Sequence, residues 1–178
     1  MEDISSRAKT VLASVGQIAA EDTRRTGMLL KRLGIKAIMV SYHEHNEAAR
    51  TAQLMEVLRG GIDIALVTDA GTPAISDPGY RLVKAAADEG LTVSPVPGPS
   101  AVTAALSASG LPTDRFLFEG FLPRKKGRQT RLRSLAEFEG TVILFESPLR
   151  LAATLRDVRE HFGGTGKYTI FRALDIHF

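Results

Sequence analysis

Two stretches rich in Gly and Pro carry most of the residues able to do chemistry. The first is Asp69-Ala-Gly-Thr-Pro-Ala-Ile-Ser-Asp-Pro-Gly79, directly after the apolar run Ile62–Thr68. A loop at the carboxyl end of a parallel strand is where open α/β sheets bind ligands. Gly71 lets a ligand approach the backbone, Pro73 and Pro78 stiffen the chain, Thr72 and Ser76 offer hydroxyls, and Asp69 and Asp77 offer acceptors. The stretch suits a polar, zwitterionic ligand. The plainer reading is a strand-to-helix connection with Asp77 capping the next helix. The second stretch, Pro97-Gly-Pro-Ser-Ala101, also follows an apolar run and opens a helix. Ser100 is a good N-cap there, and the positive end of the helix suits a carboxylate or a nucleotide hydroxyl. Two such loops on one sheet are expected to converge on one cleft. Neither ends in Gly-Lys-Ser/Thr or carries Gly-x-Gly-x-x-Gly, which disfavours nucleotide hydrolysis and dinucleotide-linked hydride transfer.

Other groups add detail. Asp69, Asp77 and Glu21, with Asp22 beside the last, are candidate proton acceptors. His43 and His45 share one face of a strand with Glu44 and Glu47 close by; a polar strand end or a nucleic-acid contact is preferred over a metal site. The run Arg124, Lys125, Lys126, Arg128, Arg131, Arg133 contains no acid, making a local positive field suited to phosphates or a solvated helix face. Few aromatics interleave it, so base stacking is not indicated there. The overall net charge, +3 over 178 residues, is too small to imply nucleic acid without that clustering. The absence of cysteine excludes disulfides, thiolate metal sites and cysteine nucleophiles, and fits a cytoplasmic protein. No apolar stretch approaches the roughly 20 residues a membrane helix needs, and the start lacks a secretory signal.

The elements that must position these groups alternate strand and helix, the signature of βαβ units and a largely parallel sheet. Helices are expected over 3–15 (capped by Asp3 or Ser5), Thr23–Leu33 with Met28, Leu29, Leu30 and Leu33 inward, Glu47–Arg59, Tyr80–Glu89 and Ala101–Ser109. Strands are expected at Ile18–Ala20, Ala37–Ser41, Ile62–Thr68 and Leu91–Val96. The pattern restarts after Leu111-Pro-Thr-Asp114 with strand Arg115–Phe121, basic helix Lys126–Phe138, strand Thr141–Glu146, helix Pro148–Phe162 and strand Tyr168–Leu174. This divides the chain into an α/β domain over 1–112 and a smaller one over 113–178 that is short of strands.

Ala20-Glu-Asp-Thr-Arg-Arg-Thr26, Ser41-Tyr-His-Glu-His-Asn-Glu47, Thr68-Asp-Ala-Gly-Thr-Pro73 with Ser76-Asp-Pro-Gly79, Pro97-Gly-Pro-Ser-Ala101, Phe118-Glu-Gly-Phe-Leu-Pro123 and Phe145-Glu-Ser-Pro148 occur in one order. Together they resemble the ribosomal RNA 2'-O-ribose methyltransferases of the tetrapyrrole methylase superfamily. The resemblance implies two α/β domains with S-adenosylmethionine between them. It implies methylation of a cytidine ribose in 16S rRNA of the small ribosomal subunit, and a homodimer. It assigns the cofactor to Asp69, Ala70, Gly71, Thr72, Pro73, Ile75, Ser100, Ala101 and Phe145. It assigns the RNA to Arg24, Arg25, Arg124, Lys125, Lys126 and Arg128. The chain departs from the family pattern in three ways. A strand and a Pro-x-Gly-Asn-Leu loop usually precede Glu2-Asp-Ile-Ser5, so the chain is expected to be shortened at both ends. Pro148-Leu-Arg150 replaces Pro-His-Arg. Arg172-Ala-Leu-Asp-Ile176 replaces Arg-Glu-Leu-Thr-Lys. A corrin or porphyrin precursor methylase and a non-catalytic RNA-binding fragment are the competing readings.

Overall fold

A short apolar strand buried on both faces organises the first part of the chain. In the computed structural model, which describes residues 3–164 and 166–171, β1 (Gln17–Ala20) lies between β2 (Met39–Ser41) and β3 (Ile64–Val67) in a parallel sheet of order β2-β1-β3. Its side chains alternate between two cores, as the twofold period of a strand requires. Ile18 and Ala20 pack with Leu12 and Leu30, from α1 (Ser6–Ser14) and α2 (Thr23–Leu33). Ala19 packs with Leu54 and Met55 of α3 (Glu47–Arg59) and with Leu82 and Ala86 of α4 (Tyr80–Asp88). The result is a three-layer α/β/α arrangement in which parallel strands are covered on both sides.

Local signals set most helix ends. The Ser5 hydroxyl accepts the Ala8 N–H at 3.1 Å, choosing between the two expected caps of α1. Asp22 caps α2 through the Arg24 N–H at 2.8 Å. Met28 is exposed rather than inward, because the buried stripe of α2 runs through Thr26 and Leu30, which place Met28 on the opposite side.

Leu91–Val96 does not form the expected strand. It runs without regular structure and is largely exposed. A strand exists only where a neighbour takes its backbone groups, and β3 pairs only with β1 among the described residues, leaving its outer edge open. The segment is held instead by the α1 start: Arg7 Nη2 donates to Ser94 Oγ at 3.3 Å, and Ser5 Oγ to the Pro97 carbonyl at 3.2 Å.

The chain divides into two compact units after Ser100, so α5 (Ala101–Ala108), which the sequence groups with the first domain, falls with the second. There, β4 (Phe116–Phe121) and β5 (Thr141–Phe145) pair in parallel. One face of this ladder, carrying Leu117, Val142 and Leu144, packs on Leu132 and Leu135 of α6 (Arg128–Ala136) and on Val158 and Phe162 of α7 (Leu151–Phe162). Both helices start later than the sequence suggests; Gly127 precedes α6, and the turn Ser147–Arg150 precedes α7. No strand forms over residues 168–171; the remainder of that expected strand, and the Arg172–Ile176 stretch, lie outside the described residues.

Candidate active site

The register of β1 against β3 decides which acids meet. Ala20 pairs with Val67, so the next residues, Glu21 and Thr68, leave the sheet side by side at its carboxyl end. The Thr68 hydroxyl donates to Glu21 Oε2 at 2.5 Å, and the Asp69 N–H donates to the same oxygen at 3.1 Å. Asp69 also faces Arg25 on the first turn of α2, with Oδ2 3.1 Å from Nη1. Its other oxygen, Oδ1, is buried without a hydrogen-bond partner. Beside it, Arg25, Thr26, Leu29, Val67 and Thr68 line a cavity of about 20 Å³, room for a single water. Asp77 returns from the far end of the loop to lie near Thr68, within electrostatic reach of Glu21 and Asp69. The three acids nominated as proton acceptors therefore gather around one threonine.

Their electrostatics follow from that crowding. Burial pushes the Asp77 carboxyl above its ordinary value, Thr68 offsets part of this, and the charges of Glu21 and Asp69 add to it. Burial likewise raises Asp69, with Glu21 adding and Arg25 opposing. Asp22 behaves oppositely: its hydrogen bonds from the Arg24 side chain and backbone hold it well below the usual carboxylate range. Arg24 and Arg25 thus each neutralise a neighbouring acid while remaining exposed.

The loop from Asp69 to Gly79 is held in an uncommon backbone shape. Ala74 and Ser76 both adopt positive φ, 69° and 62°, which costs energy for any residue with a Cβ. Ala74 N–H bonds the Pro78 carbonyl at 3.2 Å, and Ile75 N–H bonds that of Thr72 at 3.2 Å. Gly71, Thr72, Ile75 and Ser76 are exposed along it. A side chain at Gly71 would meet nothing within 4 Å, so this backbone borders open space. Gly79 is different: at φ 144°, an added Cβ would stand 2.8 Å from Leu66 Cδ2 and 3.0 Å from the Ala74 nitrogen.

Sequence reasoning missed what fixes the end of this loop. Asp77 does not cap α4; Gly79 is the N-cap residue and brings no side chain of its own. Glu47, on the first turn of α3, supplies the acceptor instead. Its Oε1 receives the Gly79 N–H at 3.1 Å and the Arg81 N–H at 3.3 Å. The hydroxyl of Tyr42, itself 1% exposed, donates to the same oxygen at 3.2 Å. A carboxylate at a helix N-terminus also meets the positive end of the dipole. The preceding turn is built by Asn46, whose Oδ1 accepts the His43 N–H at 2.8 Å and whose Nδ2 donates to the Ser41 carbonyl at 3.2 Å. The Tyr42–Glu47 motif is therefore a clamp on the loop, a role its spacing alone does not signal. Among the described residues no group of His, Asp and Glu is gathered as a metal ligand set. The large concavity of about 520 Å³ between α3 and α4 lies behind this clamp and is lined by charges that pair internally, Arg81 with Glu47 and Lys84 with Asp88.

Ser100 is half-buried just ahead of α5, and Ala101 is exposed at its start. In the second unit, Phe145 sits among aromatics, 4.9 Å from the Phe118 ring and 5.6 Å from that of Phe121. The basic run separates into two kinds of residue. Arg128, assigned to RNA by resemblance, is instead tied inside the unit: Nε meets Asp157 Oδ2 at 2.8 Å and Nη2 donates to Thr154 Oγ1 at 2.7 Å. The buried Thr154 hydroxyl in turn donates a hydrogen bond to Glu146 at 2.7 Å, and Glu146 also holds Arg150 at 2.7 Å. Arg131 pairs with Glu119. Arg124, Lys125 and Lys126 are exposed and make no ion pair among the described residues.

The family model for tetrapyrrole (corrin/porphyrin) methylases matches residues 1–174. A protein named ribosomal RNA small subunit methyltransferase I from Pseudomonas aeruginosa is 48% identical, covering 100% of this chain and 64% of its own length. The protein of that name from Mesorhizobium japonicum is 51% identical, with 100% and 61% covered. The one from Thermotoga maritima is 48% identical, with 92% and 73% covered. The chain thus spans somewhat less than two thirds of the first two relatives. Among solved structures, a cobalt precorrin-4 methyltransferase is similar at TM-score 0.60 and 20% identity, over 90% of this chain and 68% of that one. A uroporphyrin-III C-methyltransferase from Thermus thermophilus is similar at TM-score 0.61 and 23% identity, over 91% and 69%. These two establish the fold, and with the family match they lead to one conclusion: the chain belongs to the tetrapyrrole methylase family.

Proposed function

We propose that this chain carries most of an S-adenosylmethionine-dependent methyltransferase acting on the 2'-hydroxyl of a cytidine in 16S rRNA. The observation that carries this is the meeting of Glu21, Asp69 and Asp77 around Thr68 beside the open Gly71 backbone. The names of the relatives supply the substrate class. The residues present fit the cofactor. Gly71 leaves clear space beside the main chain, and exposed Thr72 and Ser76 offer hydroxyls to a zwitterion. Ala70, Pro73, Ile75 and Ser100 complete the set proposed on the first unit, and the resemblance adds Ala101 and Phe145.

The bound cofactor supplies a methyl group already activated on a sulfonium, so the protein's work is positioning, water exclusion and proton removal. Asp77 is the group proposed to take the ribose hydroxyl proton. Glu21 is engaged by the Thr68 hydroxyl and the Asp69 amide, and Asp69 by Arg25, whereas Asp77 is half-buried, makes no ion pair among the described residues and has a raised proton affinity. A more basic carboxylate is a better proton acceptor. Glu47 and Gly79 keep the loop end in place. Exposed Arg24 and Arg25 on the first unit, and Arg124, Lys125 and Lys126 on the second, are assigned to RNA phosphates. A homodimer and a cytoplasmic location belong to the same reading.

Transfer of a tritiated methyl group from the labelled donor to small ribosomal subunits tests this. Label on the RNA ribose is expected. Label on a precorrin substrate alone would instead favour the small-molecule methylase, and calorimetric silence with the donor would favour a non-catalytic fragment.

A further inference from the structure

The β4–β5 ladder has helices on one face, and the other face is aromatic. Alternation places Phe116, Phe118 and Phe145 opposite the helix-covered Leu117, Val142 and Leu144. Phe121 stands three residues after Phe118, so a regular strand would turn it toward α6 and α7. It does not turn that way. A register shift between Phe118 and Gly120 inserts one extra residue, and Gly120 takes φ 71°, a conformation that favours glycine. The bulge brings Phe121 into register with Phe145, and both Phe118 and Phe121 meet the Phe145 ring edge-on. A regular strand would have buried Phe121; the bulge leaves it 54% exposed at the rim, with Phe116 at 43%. Three residues further on begins the trio Arg124, Lys125 and Lys126, exposed cations that make no ion pair among the described residues. Three residues of extended chain span only about 10 Å, so ring and charges act within one short reach.

We propose that this face is a stacking platform for an unpaired RNA base, with Phe121 as the contacting ring, Phe118 and Phe145 fixing its orientation, and Arg124–Lys126 holding the adjacent phosphates. The proposal rests on the RNA reading above and deepens it. An aromatic ring offers a π-face to any unpaired base, and neighbouring cations supply the salt-dependent part of the affinity. A polyanion complements the exposed trio, which an apolar protein segment would not.

The test is fluorescence anisotropy of a labelled 12-nucleotide single-stranded RNA, and of the same sequence as a duplex, against the 178-residue chain. Phe121→Leu keeps an apolar side chain but removes the ring, and it is expected to weaken single-strand binding roughly 5- to 150-fold with the salt slope unchanged. Phe121→Tyr should bind as the parent does. Changing Arg124, Lys125 and Lys126 to Ala should lower the salt slope by about 2. Duplex binding should not respond to Phe121→Leu, because paired bases are already stacked. Saturating S-adenosylhomocysteine should leave single-strand affinity intact. Unchanged single-strand affinity in Phe121→Leu, with the melting temperature intact, would overturn the platform while a reduced slope in the triple variant kept the RNA reading alive. Loss of cofactor binding alone in Phe121→Leu would reassign the ring to the cofactor's adenine. If the parent chain bound neither this RNA nor small ribosomal subunits, the RNA reading would fall along with the platform.

Discussion

Replacing Glu47 with Ala removes one oxygen that three donors share. The Gly79 and Arg81 amides lose their acceptor, and the buried Tyr42 hydroxyl keeps only Thr51, 3.0 Å away. Glu47 is 15% exposed at its side chain, so water replaces it poorly. Loss of a helix N-cap costs about 1 kcal/mol, and hydrogen bonds to a charged acceptor are worth about 1.5–3 kcal/mol. The Arg81 guanidinium, 3.6 Å away and 63% exposed, adds little. Glu47→Ala should therefore destabilise the first unit by about 2–3 kcal/mol, lowering its melting temperature by on the order of 10 °C. Glu47→Gln keeps the acceptor oxygen and loses only the charge, so it should cost about 1 kcal/mol or less. Calorimetry gives the stabilities, and amide hydrogen exchange locates the change: the Gly79 and Arg81 amides should lose protection while those of β1 hold theirs until global unfolding. Cofactor affinity should fall in Glu47→Ala and recover in Glu47→Gln, because the loop end is released in one and retained in the other. The clamp would be refuted by a Glu47→Ala melting point within about 2 °C of the parent, or by unchanged exchange at Gly79 and Arg81.

Three further outcomes can be checked directly. Gly79→Ala forces a Cβ to within 3.0 Å of the Ala74 backbone nitrogen at φ 144° and should distort the loop, costing about 1–3 kcal/mol and abolishing cofactor binding seen by calorimetry. The raised proton affinity of folded Asp77 means its contribution to stability is fully present below the ordinary Asp value and is lost as pH rises through the folded value. Asp77→Asn should therefore be more stable than the parent at neutral pH and show no advantage near pH 3, as followed by urea unfolding; an advantage that grew on acidification would contradict the assignment. Arg128→Ala leaves Asp157 and Thr154 partly unpaired inside the second unit and should lower its stability by about 3 kcal/mol, with RNA affinity at low temperature nearly unchanged; a pure affinity loss would return Arg128 to the RNA surface.

Much of the fold was legible in the sequence because its causes are local. Thr23–Leu33 and Glu47–Arg59 were readable to the residue, from the apolar period together with Gly34 and Gly60-Gly61 after them. The apolar runs at 18–20 and 64–67 read as buried strands because every residue there is apolar. The choice of Glu21, Asp69 and Asp77 as acids needed only their position after those runs. Leu91–Val96 failed because apolarity marks a segment able to pair, while pairing needs a neighbour that no local pattern reports.

The tertiary structure decided what depends on contacts across long separations. That Glu21 accepts hydrogen bonds from the Thr68 hydroxyl and the Asp69 amide, 47 and 48 residues away, follows from the register of β1 on β3. That Glu47 rather than Asp77 caps α4 depends on how α3 lies against α4, 32 residues on. That Arg128 is spent internally, while Arg124 makes no ion pair among the described residues, depends on α7, which begins long after the basic run ends. Residue type and spacing define which chemistry is available; charge pairing and side-chain direction are set by neighbours in space, and one bulged glycine is enough to turn Phe121 from core to surface.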